Sequence, residues 1–250
     1  MESRLKILGA IVAIIGVLAI LGGGYGYTRV QQGADALNGF SAAQNVTISY
    51  NDQGQLVDRG STENAAAILA LLKDTWKWPV ADGDLNPKDP VVNTGTEYMY
   101  QMATIAHHTL SGASTVTLAA PVAYDGNGDG TVDATAPNIT PETLPQDAAY
   151  LDLLKSDANY AAGTYTVPTL DRYYTAFNRL HPLDGPARDA AWSGLVHGLF
   201  AELGVGATSF SALQMGQAMA LIAIAFGITF VITGLGLVWV GAAKKSTAAA

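Results

Sequence analysis

The sequence predicts an α+β domain carried between two transmembrane α-helices. Three observations predict it. Uncharged apolar stretches run from Ile7 to Tyr27 and from Leu203 to Ala243, about 175 residues between them hold nearly all the charge, and short strand and helix patterns in that middle do not strictly alternate. A membrane-spanning helix needs about 20 apolar residues, and each stretch supplies them. Mixed strands and helices without regular alternation favour α+β over a doubly wound sheet. The expected organisation is a tail over 1–6, a span over 7–27, an exported domain over 28–205, a second span over 214–241 and a tail over 242–250.

Charge orients the spans. Arg4, Lys6, Lys244 and Lys245 stand against Glu2 at the two ends, a net +3, while Arg29 to Glu202 hold 9 Lys/Arg and 20 Asp/Glu, a net −11. Lys and Arg close to the spans set orientation, and long loops translocate largely regardless of charge. Both termini are therefore expected in the cytoplasm of a plasma-membrane protein, with the acidic domain outside. Tyr25, Tyr27 and Trp239 sit near span ends, at the headgroup level such rings prefer. The competing reading of the first span is a cleaved signal peptide with Arg4 and Lys6 as its charged region. Its cleavage-like triplet Ala34-Asp35-Ala36 lies some dozen residues past the apolar core, so an uncleaved anchor is expected.

Within the middle, Thr28 to Gln44 reads as a juxtamembrane helix or linker. Val46 to Tyr50 and Gln55 to Asp58 flank Asn51-Asp52-Gln53-Gly54, the composition of a hairpin with a four-residue loop. Thr62 is the expected N-cap of an Ala- and Leu-rich helix reaching about Trp76. Pro79 and Asp82 to Pro87 break it. Thr96 to Leu110 places Tyr98, Met102, Ile105 and Thr109 on one helical face, and Gly112 ends that helix. Thr115 to Leu118 and Thr164 to Val167 read as paired strands with an Asp-, Asn- and Pro-rich insertion over about 121–163 between them. Leu170 to Leu180 and Ala187 to Leu203 are expected helices, separated by His181-Pro182-Leu183-Asp184-Gly185-Pro186.

One segment carries a chemical signature. Asp125-Gly126-Asn127-Gly128-Asp129-Gly130-Thr131-Val132-Asp133 puts oxygen side chains at positions 1, 3, 5 and 9, with Gly at position 6. Calcium takes six to eight hard oxygen ligands, and this spacing lets Asp125, Asn127, Asp129, Thr131 (by its carbonyl) and Asp133 converge on one structural ion. The segment resembles the DxNxDG calcium loops found outside true EF-hands. Position 12 is Ala136 where an EF-hand has a bidentate Glu, and Pro121 and Pro137 exclude flanking helices. Affinity toward the millimolar end follows, with Glu142 or Asp147 the nearby candidates for the missing oxygens. The alternative is a solvated turn, since Asp, Asn and Gly favour turns for backbone reasons alone.

Other constellations carry less. His107 and His108 are helix neighbours pointing about 100° apart, so they do not grip one metal together. Ser193 and His197 share a helical face but lack a nucleophile elbow, which reads as a capped, packed helix. Asp171, Asp184 and Asp189 are the acid-base candidates, and twenty acidic residues make some such grouping expected. Trp76, Trp78, Tyr98, Tyr100, Tyr173 and Tyr174 read mainly as core, with Trp78 the best surface candidate. With no cysteine in the chain, thiol nucleophiles and cysteine-ligated metals are excluded. An acidic domain offers no nucleic acid its basic patch. The spans hold no ionisable side chain, against a proton or ion path, and Gly9/Ala13, Gly22/Gly26 and Ala223/Gly227 have small-xxx-small spacing for contact with each other or with a partner membrane protein.

Val92-Asn93-Thr94-Gly95-Thr96-Glu97-Tyr98-Met99-Tyr100-Gln101-Met102, His181-Pro182-Leu183-Asp184-Gly185-Pro186-Ala187-Arg188 and Leu213-Gln214-Met215-Gly216 resemble a group of actinobacterial two-span membrane proteins with an exported loop domain. That resemblance implies the topology and no activity. The expected function is a membrane-anchored extracytoplasmic interaction or structural module, an accessory subunit of a cell-envelope complex. The alternative is an ectoenzyme, a hydrolase using carboxylates with His181 or His197. A sensor is disfavoured because tails of about six residues leave no receiver inside.

Overall fold

The computed structural model describes residues 2–81 and 83–246, with side chains through 242. Asp82, in the predicted break, and the ends of both predicted tails, Met1 and 247–250, lie outside the described residues. The chain is α+β and forms two compact units, one of residues 1–46, 91–95 and 206–250, the other of 47–90 and 96–205.

The first unit is a helix pair. Helix α1 spans Glu2–Gln44, and helix α6 spans Gly194–Ser246, its part from Gly206 onward belonging to this unit. Both are long and apolar enough to cross a membrane. At 1.5 Å per residue α1 is about 65 Å long, so it continues well past its apolar stretch, and Ala34-Asp35-Ala36 lies inside it as regular helix. The two helices run antiparallel along a glycine seam. A Cβ added at Gly9 would come within 2.5 Å of the Gly234 carbonyl oxygen, at Gly16 within 2.6 Å of that of Gly227, and at Gly23 within 2.8 Å of that of Ala220. Only glycine permits backbones to meet this closely. The seam repeats every seven residues on both helices, the period of a left-handed supercoil. Gly9, Ala13 and Gly227 of the predicted small-residue pairs lie on it. A Cβ added at Gly22 would meet nothing within 4 Å, and one at Gly26 only the Ala220 Cβ, at 3.8 Å. The spacing of four marked Gly9, Ala13 and Gly227 correctly and overlooked Gly16 and Gly23, because the operative repeat is seven.

The second unit holds the remaining elements. They are α2 (Thr62–Ala70), most of α3 (Gly95–Leu110), β1 (Ala113–Leu118), β2 (Val122–Tyr124), β3 (Asn138–Ile139), α4 (Ala149–Leu153), β4 (Ala158–Tyr160), β5 (Gly163–Pro168) and α5 (Asp184–Ala191), together with the first residues of α6. β1 and β5 pair antiparallel, Ala113 opposite Pro168 and Leu118 opposite Gly163. Between them in sequence lies a three-stranded sheet of order β2-β4-β3, with β2 antiparallel and β3 parallel to β4. The core is tyrosine-rich: Tyr150, Tyr160 and Tyr165 are buried with Val116, Val167, Leu144 and Leu183. A second cluster joins Ala106, Leu110, Phe177 and Trp192, with Trp76 and Phe200 against it.

Local chemistry explains most elements and corrects several expectations. The turn at Asn51–Gly54 forms, closed by the amides of Gln53 and Gln55 on the Asn51 side-chain oxygen, but its arms make only the isolated bridge Tyr50 to Leu56. The N-cap of α2 is Ser61, whose Oγ accepts from the Asn64 amide at 3.1 Å; Thr62 is the first helical residue. A π-helical turn over Leu71–Thr75 carries that helix to Trp76. On α3 Tyr98 of the predicted face is buried as deeply as Tyr100, but the buried face continues through Ala103, Ala106 and Leu110, whereas Met102, Ile105 and Thr109 are half-buried. Two alanines let the neighbouring elements approach, which a reading of large apolar side chains overlooks.

The expected helix from Leu170 to Leu180 is absent. Leu170 and Asp171 take left-handed φ values of +50° and +54°, which an α-helix does not tolerate, and only a 3₁₀ turn over Tyr174–Ala176 remains. The amides of Thr169 and Asp171 donate instead to the carbonyls of Gly112 and Leu110. The predicted break at His181 to Pro186 is half helix, because Pro186 is the third residue of α5, where an amide has no intrahelical acceptor to lose. Trp192 closes α5, and Ser193 caps α6 by accepting from the Val196 amide at 3.4 Å. The expected helix over Ala187 to Leu203 is therefore two helices, the second running on unbroken to Ser246.

Candidate functional site

Three polar groupings stand out in the second unit. The first is the Asp125 loop between β2 and β3. Gly128 and Gly130 adopt φ of +77° and +93°, which their lack of a side chain permits. A Cβ at Gly126 would collide with the Ser156 backbone. The loop's oxygens turn inward on its own amides. Asp125 accepts from Gly128 at 2.6 Å and Gly130 at 2.8 Å, Asn127 from Asp129 at 2.8 Å, and Asp129 from Thr131 at 2.9 Å. The Thr131 amide, followed by its hydroxyl, holds the Asp129 carboxyl below its ordinary range. Sequence reading missed Asp157. Buried at 5% exposure, it accepts from the amides of Gly126, Asn127 and Asp133 and fastens both ends of the loop. Only folding brings it there, 24 residues beyond Asp133. Asp125 is half-buried, while Asn127, Asp129, Thr131 and Asp133 form an exposed rim. Among the described residues no three His, Asp or Glu side chains are grouped so as to hold a metal ion.

The second grouping centres on His181 and Asp184. The Asp184 carboxylate takes both arms of the Arg172 guanidinium, Nη1 at 2.9 Å and Nη2 at 2.8 Å, with the Tyr150 hydroxyl at 3.1 Å and the Asn178 amide at 2.6 Å. Arg172 also donates to the carbonyls of Thr169 and Pro168 and stacks 4.1 Å over the Phe177 ring. His181 Nδ1 accepts from the amides of Leu183 and Asp184, both at 3.1 Å, so the ring proton is assigned to Nε2, which meets the Tyr160 hydroxyl at 2.8 Å. Burial is the main force lowering His181 to about 4, outweighing the Asp184 charge that opposes it. Burial also pushes Tyr150 and Tyr160 far above their ordinary values. All four residues are at most 1% exposed. A histidine and a carboxylate do converge here, but the cluster is sealed and its bonds are filled, which is what a structural network requires.

The third grouping is different in kind. His108, on the last turn of α3, meets Asp58 with Nε2 at 3.1 Å from Oδ1 and 3.0 Å from Oδ2. Asp58 is nearly buried, and close behind it the Tyr100 hydroxyl is buried without a hydrogen-bond partner, as is that of Tyr50. Burial first, then the Asp58 charge, raises Tyr100 well above its ordinary value. His108 lines a cleft of about 380 Å³ together with Arg59, Thr109, Ser114, Thr169 and Val196. Arg59 and Gly60 form the centre of a tight turn in which Asp58 and Ser61 exchange both main-chain bonds, and both central residues have positive φ, +48° and +80°.

The remaining candidates separate. Asp171 is exposed, and Asp189 is exposed on an ion pair with Arg188, so neither joins Asp184. His197 bonds the Ser193 carbonyl rather than its hydroxyl. Trp78, expected at the surface, is half-buried with its indole N–H enclosed, whereas Tyr173 is the exposed aromatic. No protein-family model, curated protein or solved structure matches the chain. The class defined by fold is an α+β chain with two helices able to span a membrane.

Proposed function

We propose that the chain is a two-span plasma-membrane protein whose acidic α+β unit works outside the cell as an interaction or structural module, an accessory subunit of a cell-envelope membrane complex. The observation that carries this reading is the inverted character of the helix pair. Its seam is glycine, and its large apolar side chains point outward, with Leu21 64% and Ile232 66% exposed. Water does not tolerate a continuous apolar surface of this extent, and lipid does. A cleaved leader would forfeit the seam that α1 makes along α6. The excess of Lys and Arg at the chain ends sets both termini inside. The Asp125 loop is the place in the outer unit where calcium would bind as a structural ion, through Asp125, Asn127, Asp129, Thr131 and Asp133, at the weak end of the extracellular range.

The absence of cysteine makes the topology directly testable. In intact cells an impermeant maleimide should label Asp129→Cys and leave Ser3→Cys unlabelled until the membrane is opened. The reverse pattern overturns the orientation. In mild detergent the protein should run in a larger assembly, and migration alone at its own mass removes the subunit reading. A second reading, an ectoenzyme, is favoured by His108, which lines a cleft with Asp58 behind it, rather than by His181 or His197. It predicts hydrolysis of a test ester that His108→Gln abolishes.

A further inference from the structure

We infer that the cleft between the Arg59 turn and α3 is a binding site for a small oxyanion, a carboxylate or phosphate group, held by the Arg59 guanidinium and the His108 ring. Four observations converge on it. The stretch from Arg29 to Glu202 carries a net −11, yet among the described residues the charged or titratable side chains lining this cleft are Arg59 and His108. Asp58 does not line the cleft; it stands behind His108 and occupies Nε2, leaving Nδ1 as the ring's remaining polar atom. Thr109, Ser114 and Thr169 line the same wall, the Thr109 hydroxyl donating to the Ile105 carbonyl at 2.9 Å.

The fourth observation is conformational. Arg59 occupies the first central position of a turn with two consecutive positive φ values, a position that Gly, Asn or Asp fills at least cost. A long cation there is strained although the turn itself only delivers Ser61 to the N-cap of α2, and such strain collects at ligand sites. What the turn achieves is to set a guanidinium at the edge of a cleft that already holds a histidine, and planar guanidinium suits the two oxygens of a carboxylate or phosphate. Asp58 is a positioning residue, fixing the orientation of the imidazole through Nε2 as carboxylates do for functional histidines. The inference does not rest on the membrane orientation proposed above.

The test uses the full chain in detergent, with inorganic phosphate and acetate as separate probes at matched ionic strength, read by thermal shift and by His108 ring NMR. Wild type should shift with at least one probe, the identity of the probe separating phosphate from carboxylate ligands. Arg59→Gly relieves the turn and should raise the ligand-free melting temperature while reducing affinity at least tenfold. Asp58→Asn should retain part of the binding. A wild type that responds to neither probe, or an Arg59→Gly variant that binds as well as wild type, overturns the site.

Discussion

The second unit contains two histidine–carboxylate pairs, and they differ in everything but composition. His181 and Asp184 lie at 1% exposure or less, with each nitrogen and oxygen engaged by Arg172, Tyr150, Tyr160, Asn178 or a main-chain amide. His108 lines a cleft with Asp58 behind it, and the Tyr100 hydroxyl near Asp58 and the Tyr50 hydroxyl near Tyr100 are buried without a hydrogen bond. A saturated network has no valence left for a ligand and holds the chain in one arrangement; an unsaturated one at a cleft has both valence and access. Residue type alone does not separate structural from functional histidines, whereas saturation and access do.

The largest expected effect tests the sealed pair. Asp184→Ala strands the buried Arg172 charge and should cost about 3–5 kcal/mol, read by urea unfolding of the detergent-solubilised chain. Asp58→Asn, which keeps the shape at a partly accessible pair, should cost about 1 kcal/mol. Equal losses would erase the distinction. Acid sharpens it next. His181, held at about 4 against an ordinary 6.5, stays neutral in the folded chain while the unfolded chain takes up a proton. Stability is therefore full above pH 6.5 and falls as the pH drops from 6.5 toward 4, by roughly 3 kcal/mol from this group. His181→Gln should flatten that part of the melting profile between pH 4 and 7, and an unchanged slope would assign the loss to other groups.

The Asp125 loop separates saturation from burial, since its oxygens are engaged but its rim is open. Asp157→Ala removes the acceptor of three loop amides and should cost about 2 kcal/mol, with faster exchange of the Gly126, Asn127 and Asp133 amides as the specific signature. Exchange spread over the whole unit would instead make Asp157 a core residue. The smallest effect is calcium: at about 10 mM the ion should add roughly 1 kcal/mol of stability, visible as a small rise in melting temperature that Asp125→Asn abolishes.

Much of this architecture was legible in the residues. The two apolar helices, the turn at Asn51, α2, α3 and the pairing of β1 with β5 follow from hydropathy, turn composition and alternation. The misses share a cause. The helix expected at Leu170 to Leu180 yields to tertiary bonds, as Arg172 reaches Asp184 and the Thr169 and Asp171 amides reach the end of α3. Of the α3 face marked by Tyr98, Met102, Ile105 and Thr109 only Tyr98 is deeply buried, because the alanines at 103 and 106 pack closely without standing out. At the sites, the Asp125 loop was visible as a motif, but Asp157, which fastens it, was not. His108 and Asp58 are 50 residues apart, and nothing local links them.

Hydropathy and charge are sums over neighbouring residues, so the sequence by itself determined the two apolar helices and the acidic α+β stretch between them. Which glycines meet, which histidine is sealed and which one faces a cleft depend on contacts between residues far apart in the chain. Loop closure brings such residues together at a cost that varies only slowly with separation, so spacing carries almost no signal of it. Only the tertiary structure decided those pairings.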